Sequence, residues 1–177
     1  MNIPYISRSL EIPDNVQVEI KGQTIIVKGP LGQVSHSFET TPLSFSLEGK
    51  KLLIALSNIK KKKVSLLGTA EAHVRNMIVG VTKGYKYRLK MIYAHFPVNI
   101  KVEGNIVKIE NFIGERAPRV AKIFDGVSIS VEDKDIVVSG LDKEKVSQSA
   151  ANIQRATKIR DYDPRVFSDG IYVYARE

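Results

Sequence analysis

The side chains in this 177-residue chain that could do chemistry are few and scattered. His36, His73 and His95 fall, by the patterns around them, in a strand, a helix and a loop, and a lone histidine is most often a hydrogen-bonded structural residue. No H-E-x-x-H, phosphate-binding Gly-rich loop, G-x-S-x-G or dinucleotide fingerprint occurs. With no cysteine in the chain, disulfides and cysteine-ligated zinc are excluded. Asp161 and Asp163 are paired acids, but in so turn-rich a segment capping is their ordinary role. These patterns lead to no catalytic residue, metal site or cofactor, and no small-molecule substrate is expected.

Cations are what the chain does offer. Lys and Arg number 27 against 19 Asp and Glu, a net charge of +8. The surplus divides evenly at Thr82, with ten basic and six acidic residues before it and seventeen and thirteen after. Such a surplus favours polyanions through phosphate neutralisation and counterion release. The densest run, Lys60, Lys61, Lys62 and Lys63, precedes a helix, where positive charge opposes the macrodipole; it is either a solvated loop or a phosphate contact. Arg116, Arg119 and Lys122 follow Gly114, and Lys158, Arg160 and Arg165 lie near the C-terminus. These two clusters belong to corresponding ends of one small unit and could converge on one surface, with Tyr93, His95 and Phe96 supplying rings. Gly29-Pro30-Leu31-Gly32 has the G-x-x-G form with which one class of RNA-binding domain clamps a nucleotide backbone. That loop joins two helices, whereas this one follows a strand, so a turn between strands is the better account.

The elements that must position these residues come in duplicate. VQVEIKGQTIIVKGPLG from Val16 lies over VNIKVEGNIVKIENFIG from Val98 at a constant offset of 82 residues, with Gly22 on Gly104 and Gly32 on Gly114. In both runs apolar residues alternate before a Gly-containing turn, Gly22-Gln23 or Gly104-Asn105, as in a hairpin. LSFSLEGKKLLIAL from Leu43 lies over VSISVEDKDIVVSG from Val127 at offset 84, again two strands about a polar turn. Each copy then enters a helix. Val64, Leu67, Val74, Met77, Ile78 and Val81 keep helical spacing until Gly80 and Gly84 loosen the chain. The second helix opens after Asp142, a plausible N-cap, and carries Val146, Ala150, Ile153 and Ala156. The second copy departs from the first at both ends, with a leading strand from Tyr85 to Tyr93 and a turn-rich exit ending in a strand at Ile171 to Tyr174.

The fold class expected is α+β: two tandem duplicated units, residues 1–82 and 83–177, each an antiparallel or mixed sheet with a helix packed on one face. The composition, 43% hydrophobic and 26% charged, is that of a globular protein. No run of about 18 apolar residues occurs, and the start has no signal-peptide core, so a soluble intracellular protein without a membrane partner is expected. A free-standing adaptor of two protein-binding modules, basic for solubility, is the competing reading.

Several runs resemble one family closely. HVRNMIVGVTKGYKYRLKMIYAHFPVN (residues 73–99), VKGPLG, NFIGE, and SQSAANIQRAT followed by DPRVFSDGIYV are similar to the large-subunit ribosomal protein family numbered six in bacteria and nine in eukaryotes, the last pair to its archaeal and eukaryotic branch. The resemblance covers essentially the whole chain. It implies a structural, non-enzymatic protein of two similar α/β units in the cytoplasmic ribosome. Such a protein binds large-subunit rRNA near the base of the lateral stalk and the factor-binding region, mainly through its second unit, beside neighbouring ribosomal proteins. Carried onto this sequence, the implied rRNA contacts are Arg116, Arg119, Lys122, Lys158, Arg160 and Arg165.

Overall fold

A computed structural model describes residues 2–60, 63–92, 95–163 and 165–177, which form two compact units, Met1–Gly84 and Tyr85–Glu177. The first unit runs β1 (Asn2–Glu11), β2 (Gln17–Lys21), β3 (Thr24–Gly29), β4 (Gly32–Ser37), β5 (Ser44–Glu48), β6 (Lys51–Lys60) and helix α1 (Ser65–Thr82). The second runs β7 (Tyr85–Ile92), β8 (Asn99–Glu103), β9 (Ile106–Glu110), β10 (Arg119–Lys122), β11 (Val127–Glu132), β12 (Asp135–Gly140), helix α2 (Lys143–Ala156) and β13 (Gly170–Arg176).

The duplication holds at the level of strand register. Val18 pairs with Val27 in the first unit, and their counterparts at offset 82, Ile100 and Ile109, pair in the second. Leu47 pairs with Leu52, and at offset 84 Val131 pairs with Ile136. Each unit therefore has a hairpin-built sheet, β2-β3-β4 or β10-β9-β8, and a second sheet, β1-β6-β5 or β11-β12-β7-β13, with its helix packed on both. In the first unit Ile25, Val27, Leu52, Ile54 and Leu56 from the sheets meet Leu67, Val74 and Val81 of α1 in one core. The narrower α2 buries Val146, Ala150, Ile153 and a serine, Ser149. That hydroxyl accepts the backbone N–H of Phe124 at 3.1 Å, so its burial leaves no orphan.

Two sequence expectations need correction. The leading strand β7 is not an addition: β1 is its counterpart, since each pairs antiparallel with the long return strand of its unit, β6 or β12. The sequence pattern of β1 hides this because the strand lies at a sheet edge and is largely exposed, whereas β7 lies between β12 and β13 and alternates buried with exposed. Only β13 lacks a counterpart among the described strands of the first unit. Gly80 does not loosen α1 either; it is buried within it. The break is at Gly84 alone, whose φ of +75° and N–H bond to the Gly80 carbonyl at 3.0 Å close the helix as a left-handed cap.

The Gly29–Gly32 turn joins β3 to β4 and packs on the end of α1. Leu31 N–H donates to the Val81 carbonyl at 3.0 Å, and a Cβ at Gly29 would lie 2.6 Å from Val81 Cγ2 and 2.8 Å from the Val81 carbonyl oxygen. A backbone atom cannot step aside as a side chain can. Gly29→Ala is therefore expected to destabilise the protein by about 1–3 kcal/mol, the usual cost of overpacking, read as a lower urea midpoint at unchanged slope.

Candidate nucleic-acid interface

Three segments of the second unit meet at one end: the β7–β8 connection, the β9–β10 connection and the stretch from the end of α2 to β13. The β9–β10 connection contains a short 3-10 turn, Phe112–Gly114. Asn111, Ile113 and Gly114 all lie in the left-handed region, with φ of 57°, 52° and 73°. For a β-branched residue such as Ile113 that conformation costs roughly 1–3 kcal/mol and persists only where surroundings impose it. Those surroundings are specific. Phe112 is buried in the core, Asn111 Nδ2 donates to the Pro97 carbonyl at 2.9 Å, and the Phe96 ring covers Gly114, where a Cβ would stand 3.2 Å from it. Phe96, half-exposed, is thus a cover for this turn and not a core residue.

Arg119 ties the turn to the helix. Its Nε and Nη2 donate to the two carboxylate oxygens of Glu115 at 2.8 and 2.7 Å, and its Nη1 donates to the carbonyls of Ala156 and Lys158, both at 3.0 Å. The guanidinium also lies 4.6 Å from the centroid of the Phe112 ring. Four of its five N–H donors are thereby spent within the protein. Hydrogen bonding to Arg119, then that residue's charge, outweighs burial and holds the Glu115 carboxyl below its ordinary value of 4.5, while the bond to Glu115 raises Arg119.

The third tie is His95. Its Nδ1 lies 2.9 Å from Oδ1 of Asp169, a carboxylate with a side chain only 1% exposed. The imidazole stacks on Phe167 at 4.4 Å, and Phe167 meets Tyr162 at 4.6 Å. β13 is held to α2 nearby. Gln154 Oε1 accepts the Val173 N–H, Thr157 Oγ1 accepts the Ile171 N–H, and the absent side chain of Gly170 leaves room for the Tyr172 ring.

The structure joins the two cationic clusters, since Arg119 bonds directly to the Lys158 carbonyl. On the two segments so joined, Arg116, Lys122, Lys158, Arg160 and Arg165 are exposed. Arg155, exposed in the last turn of α2, lies instead beside Tyr87, Val173 and Arg176. Asp163 caps the following turn, accepting the Arg165 N–H at 2.9 Å. Lys60 and Lys63 are exposed, at the end of β6 and just before α1; they belong to the first unit and not to this cluster. Lys61, Lys62 and Tyr93 lie outside the described residues. Lys86, Arg88 and Lys90 alternate with the buried Tyr85, Tyr87, Leu89 and Met91, and Arg88 Nε is 3.3 Å from the Glu177 carboxylate. His36 and His73 stack on each other at 4.5 Å within the first unit.

Two duplicated antiparallel units, the second with exposed cations on segments tied together by an internally braced turn, define the class of fold. The chain belongs to the Ribosomal protein L6 family: the family model matches twice, over residues 12–84 and 96–170, once in each unit. Among similar proteins are the large ribosomal subunit proteins uL6 of Ignicoccus hospitalis, 44% identical over 98% of this chain and 96% of that protein, and Saccharolobus solfataricus, 45% identical over 100% and 98%. That of Methanothrix thermoacetophila is 44% identical over 97% of each chain.

The Glu115–Arg119 pair makes a pH prediction. A carboxyl whose folded pKa lies below its unfolded value contributes stability that is present above the unfolded pKa and lost as pH falls through the folded one. Wild type should therefore exceed Glu115→Gln in thermal stability at neutral pH. The gap should close as pH drops below about 4.5, the ordinary carboxyl value, with melting curves at stepped pH as the check.

Proposed function

We propose that this chain is a structural constituent of the large ribosomal subunit and binds its rRNA chiefly through the cation-rich end of the second unit. The observation that supports this reading is the junction of the two cationic segments at Arg119, in a chain whose relatives at about 45% identity are large-subunit proteins. Arg116, Lys122, Lys158, Arg160 and Arg165 would neutralise phosphates, Arg119 would fix the loop that carries them, and RNA would be recognised by shape and 2′-hydroxyl contacts. Lys60, Lys61, Lys62 and Lys63 form a second, separate set of candidates in the first unit.

The role has no catalytic step and calls for no cofactor. Its setting is the cytoplasmic ribosome, where the protein lies beside other large-subunit proteins. Position near the stalk base and the factor-binding region follows from the family resemblance alone.

Replacing Arg116, Lys122, Lys158 and Arg160 together by Ala tests the interface. Affinity for protein-free large-subunit rRNA should fall, and the slope of log K against log salt should flatten by about 0.7–0.9 for each phosphate no longer neutralised. A slope equal to that of wild type would refute the assignment.

A further inference from the structure

Tyr162 is a ring of the second unit that is stacked on one side and open on the other. It ends the stack His95, Phe167, Tyr162, whose inner end is fastened by the buried carboxylate of Asp169. Its own side is open: the residue is 52% exposed, and its hydroxyl has no hydrogen-bond partner among the described residues. A stack whose only purpose was to pin the loop would be complete at Phe167, because His95 and Asp169 already close the long-range contact.

The charges beside Tyr162 select what can cover it. Asp161 and Asp163, both exposed, are its neighbours in the chain, and carboxylates so near disfavour a phosphate directly over the ring. Arg160 and Arg165, also exposed, lie just beyond them in the sequence. A short exposed segment with a ring and two arginines suits a nucleotide strand whose phosphates are drawn to the arginines and whose neutral base faces the ring. A base inside a duplex has both faces occupied, so the fitting partner is an unstacked one, from a loop or a bulge.

Resting on the rRNA-binding reading above, we infer that Tyr162 is a stacking platform for a single unpaired base of large-subunit rRNA. It adds an aromatic, salt-insensitive contact to the electrostatic interface. The His95–Asp169 pair positions it by holding Phe167 beneath it.

The test uses the full chain and protein-free large-subunit rRNA, with filter binding across a salt series. Tyr162→Ala should weaken binding by about 5- to 100-fold, the range for removal of one base–aromatic stack, at an unchanged salt slope; Tyr162→Phe should bind as wild type. The chain has no tryptophan, so Tyr162→Trp places a unique fluorophore at the site, and rRNA should quench it. The inference is overturned if Tyr162→Ala binds as wild type, if its weaker binding comes with a flattened slope, if Tyr162→Phe binds as weakly as Ala, or if the tryptophan is unquenched on binding. Should the stack fail while the four-cation variant still flattens the slope, the rRNA-binding reading stands without it. Both fall if the wild-type chain does not bind.

Discussion

One guanidinium holds the functional end of this protein together. Arg119 reaches from β10 to the Glu115 carboxylate on the strained turn and to two carbonyls at the exit of α2. The first, of Ala156, is the last carbonyl of the helix and the second, of Lys158, lies just past its cap, where acceptors lack intrahelical donors and the dipole favours a cation. A lysine could satisfy the charge but not the geometry, because only a planar fork can address a carboxylate with one edge and backbone oxygens with another. The pair with Glu115 is partly exposed, so its Coulombic worth is modest. Its importance is directional: it fixes where the exposed cations around it stand.

This separates two kinds of basic residue that look alike in a sequence. Arg119 directs its charge inward and has one donor left. Arg116, Lys122, Lys158 and Arg160 direct theirs outward from segments that Arg119 and the His95–Asp169 contact hold in place. A flexible loop carrying the same four charges would lose conformational freedom on every phosphate contact. A braced one has already lost it in folding.

Much of the architecture is legible in the sequence because its causes are local. The offsets of 82 and 84 residues carry register as well as duplication, the hairpin turns follow from Gly22 and Gly104 at positive φ, and Asp142 caps α2 through the N–H groups of Glu144 and Lys145. What the sequence hides depends on distance along the chain. β1 carries the pattern of an exposed edge, and its identity shows only in its pairing with β6. The roles of Arg119 and His95 rest on partners up to 39 and 74 residues away. The spacing of Glu115 and Arg119 is visible, but without a helix there it carries no expectation of a bond.

The same distinction explains why several residues in the runs that mark the family face inward. Gln154, Thr157, Asp169 and Gly170 stand in the signature segments, and all four act within the fold. Gln154 and Thr157 receive N–H groups of β13, Asp169 orients His95, and Gly170 makes room for Tyr172. The roles of Thr157 and Asp169, both buried, each demand one side chain of one shape, because a buried donor or carboxylate left unmatched costs more than the bond itself is worth. A phosphate contact demands only a positive charge within reach, and several surface positions can supply it. Recognition of the fold therefore runs through residues that brace the loops. The exposed cations are located by what those braces hold in place.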